Sequence, residues 1–283
     1  MLTKTVSKSF VGIVLICALL SLFKFNHCRV NDWQSPDNYV HACYTDIPAL
    51  FSERGLDTNT FAYLSPTNSI EYPPVIGLGN WLISFITPAE NAHRFFFDIN
   101  ALLIIIFFFL SAVIVSRIKP EYQYLFPAAP AVIASLFINW DMWAVISTLL
   151  AIYYFDQKKF EPSAIWLGIS IATKFFPIVL LLPIAIIFWR NRQFKELQRY
   201  IFTTALFWLA INLPIIATSF GGWWRFFKLN LERSADFGSI WFALNILGVN
   251  TPGLNDFYTL ITIAAFALLA YFLIKLDKTI LCS

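Results

Sequence analysis

The sequence consists mostly of apolar runs that follow one another with short polar interruptions. These runs cover 10–26, 74–88, 95–116, 124–138, 142–155, 162–173, 175–189, 200–218 and 257–275. A helix needs about 20 apolar residues to cross the hydrocarbon core of a bilayer. Within lipid, only helices and closed barrels satisfy every backbone polar group. The chain is therefore predicted to be an all-α, polytopic membrane protein.

Composition agrees with a membrane protein and excludes several other classes. Of the 283 residues, 58% are hydrophobic and 13% are charged, whereas soluble domains average roughly 45–50% and about 25%. Such a composition excludes a disordered chain and a nucleic-acid-binding protein with a basic face. No internal repeat or linker divides the sequence, so residues 1–283 are predicted to form a single integral-membrane domain.

Positive charge predicts which side of the membrane each loop faces. If the N-terminus is cytoplasmic and 74–88 does not cross, most Lys and Arg lie in short inner segments, such as those around Arg117 and Lys158. Membrane proteins concentrate positive charge on the cytoplasmic side in this way. We therefore expect about eight spans in the cell membrane, with 74–88 as an amphipathic or re-entrant helix. The outer loops are then about 27–94 and about 219–256.

Cys28 and Cys43 lie in the predicted first outer loop, each close to a histidine. Cysteines on the oxidising side of a membrane favour a disulfide. A closed loop of about 15 residues contributes roughly 3 kcal/mol through chain entropy. His27 and His41 leave a second interpretation open, a zinc site with two Cys and two His ligands. The spacing does not match a zinc motif, so the disulfide is the prediction and no metal is expected.

The segment after Cys43 contains the main candidate for a catalytic base. Asp46 follows Tyr44 closely and precedes an apolar helical segment at 48–54. A carboxylate held at the membrane face can act as a general base toward a hydroxyl group. Aspartate also caps helices, and Pro48 suits the first turn of one. The sequence leaves both roles open, and they do not exclude each other.

Polar residues interrupt the apolar runs at further places. Glu71 and Tyr72 precede two prolines, which predict a rigid turn. Asn139 and Asp141 stand between two apolar runs, and Lys174 stands between two others. Charged groups at membrane depth are costly and usually face a cavity or a partner. Asp141 and Lys174 are therefore predicted either to form an ion pair or to line a site where Lys174 meets a phosphate.

The last outer loop combines aromatic residues with basic ones. The aromatic residues suit an interfacial belt, and Arg233 offers a fork of donors for phosphate oxygens. Asp236 is expected either to line the same site or only to position Arg233. The sequence contains no glycine-rich phosphate loop, GxSxG motif or His-x-x-x-His metal motif. This excludes nucleotide-sugar chemistry on a Rossmann-type domain, so a donor must be delivered in the membrane.

Several motifs taken together resemble a known enzyme family. They are CYTDIP at 43–48, RGL at 54–56, EYPP at 71–74, NWD at 139–141 and ATKFFP at 172–177. From about residue 40 to residue 241, the chain resembles the family-87 polyprenol-phosphate-dependent mannosyltransferases of the GT-C class, and more closely their actinobacterial relatives. Members of this family usually run longer. The chain is therefore expected to be either a naturally short form or a truncated one.

The resemblance implies a GT-C-like helical bundle whose long first outer loop carries juxtamembrane helices. It implies transfer of a hexose, mannose foremost, from a polyprenyl-phosphate donor to a lipid or lipoglycan acceptor on the outer face, with inversion and without a cofactor. Asp46 maps onto the catalytic base, and Lys174 and Arg233 are predicted to bind the donor phosphate. The residues predicted to line the site are Tyr44, Glu71, Tyr72, Asn139, Asp141 and Asp236. An anionic-lipid transporter or flippase and a catalytically silent membrane subunit are alternatives.

Overall fold

A computed structural model of the protein describes residues 6–233, 235, 239–249 and 254–275. The regular structure of these residues is entirely helical. In chain order the α-helices are α1 (Lys8–Val30), α2 (Asp37–Val40), α3 (Asp46–Glu53), α4 (Pro74–Ser84), α5 (Ala92–Ile118), α6 (Pro130–Ser135), α7 (Asp141–Asp156), α8 (Phe160–Thr173), α9 (Leu181–Arg190), α10 (Phe194–Glu232), α11 (Ile240–Ile246) and α12 (Leu254–Lys275).

Within the described part of the chain, four helices are long and apolar enough to cross a membrane. They are α1, α5, α10 and the Phe257–Lys275 part of α12. At 1.5 Å per residue, the 27 residues of α5 extend about 40 Å, more than the roughly 30 Å of the hydrocarbon core. The all-α polytopic membrane protein is thereby confirmed, whereas the number of about eight spans stays a prediction.

The apolar run at 124–138 does not form one continuous helix. Only the six residues of α6 are α-helical there, and the preceding residues form turns. Pro127 and Pro130 account for this, because proline lacks an N–H group and its ring clashes with the preceding helical turn. The apolar helix α4 has 11 residues and extends about 17 Å. A helix of that length covers roughly half of the hydrocarbon core.

Helices α7 and α8 form an antiparallel hairpin whose open end carries the candidate site. Their interface contains polar side chains that bond directly between the helices. The Ser170 hydroxyl donates to the Ala144 carbonyl at 3.1 Å and lies 2.6 Å from the Thr148 hydroxyl. This pairing brings the first residue of α7, Asp141, beside Lys174, which directly follows α8. Residues that are 33 positions apart in sequence are therefore neighbours.

Helix α10 changes direction at Ser219, whose backbone is not helical (φ −150°, ψ 51°). The 39 residues of this helix would extend about 58 Å if straight, well beyond a bilayer core. After the kink, residues 220–232 pack against the loop before α4, where Gly221 lies beside Pro66. The segment predicted as the last outer loop therefore contains a helical portion.

Tyr63 joins the loop before α4 to two helices. Its side chain is 1% exposed, and its hydroxyl donates to the Tyr72 carbonyl at 2.7 Å. Gly77 of α4 and Gly222 of α10 approach Tyr63 so closely that a Cβ atom on either would overlap it. Glycine at both positions therefore lets the two helices pack directly on the loop that leads to Tyr72.

We expect Gly222→Ala to lower the free energy of unfolding by about 1–3 kcal/mol, the usual cost of overpacking. The added Cβ would overlap the Tyr63 carbonyl oxygen and the Ser69 hydroxyl, and the carbonyl belongs to backbone that cannot rotate away. Gly12→Ala in α1 is the matched control, because no described atom lies within 4 Å of its Cβ position. Thermal unfolding in one detergent measures both. Equal melting temperatures for the two variants would contradict this packing.

Candidate active site

A disulfide connects the end of α1 to the segment that leads into the candidate site. Cys28 and Cys43 are bonded, with their Cα atoms 6.0 Å apart, and both are fully buried. The alternative zinc site with two Cys ligands is therefore not formed, because both sulfurs are used in the bond. The chain just before Asp46 is held against the end of α1.

Asp46 is the first residue of α3 but is not its cap. The N-cap is Thr45, whose hydroxyl accepts a hydrogen bond from the Ile47 N–H at 3.2 Å. The interpretation of Asp46 as the capping residue is therefore wrong, because Thr45 supplies the oxygen that the helix start needs. The Asp46 N–H donates to the Ile138 carbonyl at 2.8 Å. This bond fixes the start of α3 against the segment that begins α7.

Two tyrosines hold the Asp46 carboxylate. The Tyr72 hydroxyl donates to Oδ2 at 2.6 Å, and the Tyr44 side chain makes a second hydrogen-bond interaction with the same carboxylate. An ionised carboxylate has about four acceptor positions, so two donors leave room for a further hydroxyl group. Asp46 is thus oriented by its neighbours and keeps acceptor capacity for a substrate.

Burial raises the pKa of Asp46 above that of an ordinary aspartate. The negative charge of Glu71 acts in the same direction, while the two tyrosine hydrogen bonds and the positive charge of Lys174 oppose the shift. Burial and the charge of Asp46 also raise the pKa values of Tyr44 and Tyr72. Both tyrosines therefore stay protonated and act as donors. A carboxylate whose pKa is raised toward neutrality is a stronger general base.

Lys174 lies beside this carboxylate at the end of α8. Its ammonium group pairs with Asp141 Oδ1 and stands 5.6 Å from the centre of the Tyr72 ring, a cation–π distance. The Lys174 and Asp141 side chains are 27% and 51% exposed, so the pair remains accessible. The predicted ion pair between these residues is present. An ammonium group has three donors, so the pair leaves Lys174 able to contact an anion.

The Asn139-Trp140-Asp141 segment packs against the Tyr72 ring. Asn139 Oδ1 accepts a hydrogen bond from the Asp141 N–H at 3.0 Å, which orders the start of α7. Trp140 is fully buried and donates to Asn100 Oδ1 at 2.8 Å. Its ring meets the Tyr72 ring edge-on with centres 5.2 Å apart. Asn139 therefore orders the backbone here, and Trp140 positions the tyrosine that holds Asp46.

Glu71 forms an ion-pair triad with Arg54 and Arg225, a pairing that the sequence did not predict. Its Oε1 atom accepts from Arg54 at 2.5 Å and from Arg225 at 3.1 Å. The arginine side chains are 15% and 14% exposed, and that of Glu71 is 30% exposed. The triad joins the loop after α3, the turn before Tyr72 and the distal part of α10. Separations of 17 and 154 residues give no local sequence signal for it.

Two predicted site residues are not part of this described cluster. Arg233 directly follows α10 and is exposed, and its proposed contact with a donor phosphate stays a prediction. Asp236 lies outside the described residues. The structure therefore brings together the carboxylate, tyrosine and lysine side chains from the predicted first outer loop and the α7–α8 hairpin.

A narrow aromatic groove of about 10 Å³, the volume of roughly one water molecule, begins at Tyr72. It runs between the end of α8 and the kinked part of α10, and most of its wall is apolar or aromatic. Its main aromatic lining consists of Tyr72, Phe175, Trp208, Trp223 and Phe227. The Tyr72 ring thus lines the groove, while its hydroxyl donates a hydrogen bond to Asp46. A prenyl chain could enter this space only after the surrounding side chains move apart.

Part of the chain is similar to a curated enzyme. Over 162 residues it is 26% identical to GPI mannosyltransferase 1 of Candida albicans. The matched region covers 51% of this chain and 38% of that protein, so the chain spans well under half of its relative's length. The two are distant, partial homologues. No family model matches the chain, and no solved structure matches it. Its assignment to the actinobacterial family-87 type stays a prediction.

Proposed function

We propose that this protein is a membrane glycosyltransferase that moves a hexose, mannose foremost, from a polyprenyl-phosphate donor to a lipid or lipoglycan acceptor. Asp46 removes the proton from the acceptor hydroxyl. The acceptor oxygen then bonds to the anomeric carbon while the bond from that carbon to the phosphate oxygen breaks. Polyprenyl phosphate leaves with the bonding electrons, and the anomeric configuration inverts. The site faces the outer side of the cell membrane.

The observation that carries the proposal is the environment of Asp46. The carboxylate is partly buried, oriented by Tyr72 at 2.6 Å and close enough to Lys174 for the two charges to influence each other. A general base needs an accessible lone pair and a pKa suited to its task. A cation beside the base can stabilise the charge that develops on a leaving phosphate. Base and cation are the two groups that this reaction requires.

Lys174 is the proposed contact for the donor phosphate. It keeps its ion pair with Asp141 while the remaining ammonium donors face the phosphate oxygens. Arg233 is proposed as a second contact, with Asp236 as its neighbour. Tyr44 and Glu71 line the site on the other side of Asp46. The partial homology with a named mannosyltransferase supports this assignment of a transferase and of mannose.

The lipid form of the donor is supported by the surroundings of the site. The side chains next to Tyr72, among them Trp208 and Trp223, are mostly aromatic and apolar, which matches the chemistry of a prenyl chain and not that of a nucleotide. The regular secondary structure of the described residues is helical, and the sequence lacks a glycine-rich phosphate loop, which nucleotide-binding folds use. A donor that arrives within the membrane fits both observations.

The direct test compares two donors. Membranes that contain the protein are incubated with a cell-lipid extract and with either radiolabelled polyprenyl-phosphate mannose or radiolabelled GDP-mannose, with donor interconversion blocked. We expect labelled lipid product only from the polyprenyl-linked sugar. Label transferred only from GDP-mannose would contradict the donor assignment. Movement of labelled anionic lipid across liposomes without any sugar transfer would favour a flippase instead.

We expect Lys174→Gln to lower kcat/KM for the polyprenyl-phosphate donor by roughly 10- to 100-fold, because a charged hydrogen bond contributes about 1.5–3 kcal/mol. Steady-state transfer at varied donor concentration measures the change. Lys195→Gln, an exposed change at the start of α10, is the matched control and should leave kcat/KM unchanged. If Lys174→Gln and Asp141→Asn only lower the melting temperature equally, with unchanged kinetics, the ion pair is purely structural.

A further inference from the structure

Three potential metal ligands converge where α1 meets α2. His27 Nε2 lies 2.9 Å from Asp37 Oδ2, and His41 Nε2 lies 3.0 Å from Asp37 Oδ1. The three ligand atoms all lie within 4.8 Å of one another, and the two imidazole rings are 4.0 Å apart at their centres. Each oxygen of the Asp37 carboxylate thus faces the imidazole nitrogen of a different histidine.

The backbone holds these side chains in place independently of any ion. His27 is in the last turn of α1, and Asp37 and His41 begin and follow the short helix α2. The Cys28–Cys43 disulfide connects the neighbour of His27 with the residue two positions after His41. Both histidines are therefore fixed relative to each other by the same covalent link, which makes the group preorganised.

The ligand set suits a divalent transition metal. Zinc binds imidazole nitrogens and carboxylate oxygens at about 2.0–2.2 Å, so ligand atoms in a tetrahedral site lie about 3.3 Å apart. The 2.9 and 3.0 Å from the histidine nitrogens to the two Asp37 oxygens are close to this value. All three ligand atoms lie within 4.8 Å of one another, so an ion would draw the two imidazole nitrogens closer together. Two nitrogen ligands out of three disfavour magnesium and calcium, which prefer oxygen.

Neighbouring groups orient the Asp37 carboxylate and leave the three side chains accessible to solvent. Asn31 donates from Nδ2 to Asp37 Oδ2 at 2.9 Å, the kind of hydrogen bond that orients a ligating carboxylate. The histidine side chains are 46% and 47% exposed, and that of Asp37 is 33% exposed. Of the three residues, Asp37 also lines an open cleft of about 340 Å³, so its carboxylate can be reached from solvent.

We propose that His27, Asp37 and His41 form a binding site for Zn²⁺ or a similar divalent transition metal, with an open position for water. The site lies in the segment before Asp46 and is separate from the proposed transfer chemistry, in which the metal has no part. Its proposed effect is to tie α1 to α2 and so stabilise the first outer loop. It does not depend on the proposed glycosyltransferase function.

The test uses the full-length purified protein without a polyhistidine tag, and Zn²⁺ and Co²⁺ as probes. Isothermal titration calorimetry is expected to give one Zn²⁺ per chain, and Co²⁺ is expected to show the visible absorption of a four-coordinate ion. Zn²⁺ should also raise the melting temperature of the wild type, and EDTA should reverse this rise, because binding to the native state alone stabilises it.

Variants separate this site from adventitious binding. His27→Gln and His41→Gln should each weaken Zn²⁺ binding by about 100-fold or more, since losing even an outer support of a ligand costs 10–100-fold. His93→Gln is the matched control, because His93 faces a single carboxylate, Asp32, at 3.5 Å. Absence of stoichiometric binding, or equal loss in the His93 variant, would overturn the proposal. The melting temperature of the wild type with and without Zn²⁺ tests the site even if a variant does not fold.

Discussion

Asp46→Asn is expected to reduce sugar transfer by about 10²- to 10⁴-fold, the usual contribution of a positioned general base. The amide keeps nearly the same shape and can still accept the hydrogen bond from Tyr72, which is 2.6 Å long in the wild type. It cannot take up the proton of an acceptor hydroxyl. Donor binding should be retained, because Lys174 is unchanged. The measurement is initial rate of transfer from polyprenyl-phosphate mannose, together with equilibrium binding of the donor.

Asp57→Asn is the matched control for this change. Asp57 lies in the same loop and is exposed, and the substitution removes the same charge. We expect wild-type activity and an unchanged melting temperature for this variant. Equal activity of the Asp46→Asn variant and the wild type would show that Asp46 is not the base. A parallel loss in the Asp57 variant would indicate a general effect of loop charge.

The pH profile of transfer provides a second measure of Asp46. Burial raises the pKa of this carboxyl above its ordinary value of 3.8. The deprotonated form is the active base, so activity is full above the raised pKa and is lost as the pH falls through it. The acid limb of kcat/KM should therefore lie above about pH 4 and belong to one group. A limb at or below the ordinary aspartate value would contradict the burial of the base.

Glu71→Gln is expected to lower the free energy of unfolding by about 3 kcal/mol, because it leaves two largely buried arginines without their shared carboxylate. The Arg54 and Arg225 side chains are only 15% and 14% exposed, so water replaces the lost charge poorly. Thermal unfolding in detergent should show a decrease of roughly 6–12 °C. The same variant should move the acid limb of activity to lower pH, since the charge of Glu71 raises the pKa of Asp46.

Glu53→Gln tests whether burial is what matters. Glu53 also faces Arg54, at 3.6 Å, but its side chain is 59% exposed. Exposed ion pairs contribute about 0–1 kcal/mol, so this variant should unfold close to the wild-type temperature. Similar small effects of Glu71→Gln and Glu53→Gln would show that the triad does not hold the loop. The double variant Glu71→Gln with Arg225→Gln should lose less stability than the sum of the two single variants.

Comparison of the helix boundaries with the apolar runs shows which features of the backbone can be predicted from local sequence. The run at 95–116 is apolar except for Asp98, Asn100, Ser111 and Ser116. It contains no proline or glycine, and it forms most of α5 (Ala92–Ile118). The run at 124–138 looks equally apolar, but Pro127 and Pro130 limit its α-helix to Pro130–Ser135. The kink of α10 at Ser219 lies between Pro214 and Gly221, residue types that favour kinks. Composition predicts burial in lipid, whereas the course of the backbone depends on proline and on packing partners.

The site residues likewise have features that the sequence predicts and contacts that only the tertiary structure sets. Asp46, Tyr72 and Lys174 stand out in the sequence because they are polar groups next to apolar runs. Their mutual contacts were not predictable, because they depend on the α7–α8 hairpin and on the docking of the Asp46 N–H on Ile138. The role of Trp140 as a support for Tyr72 was missed as well. Trp140 belongs to the Asn139-Trp140-Asp141 motif, but the motif does not indicate which ring its side chain contacts.

The sequence by itself determined the membrane class, the helical backbone and the residue types that can carry acid–base chemistry. Hydrophobicity and proline act locally, so their consequences can be derived from short stretches of chain. The sequence predicted the bond between Cys28 and Cys43, which is formed. Only the tertiary structure decided that Glu71 binds Arg54 and Arg225 and that His27 and His41 both meet Asp37. Such pairings depend on distances between elements far apart in sequence, which packing sets and composition does not.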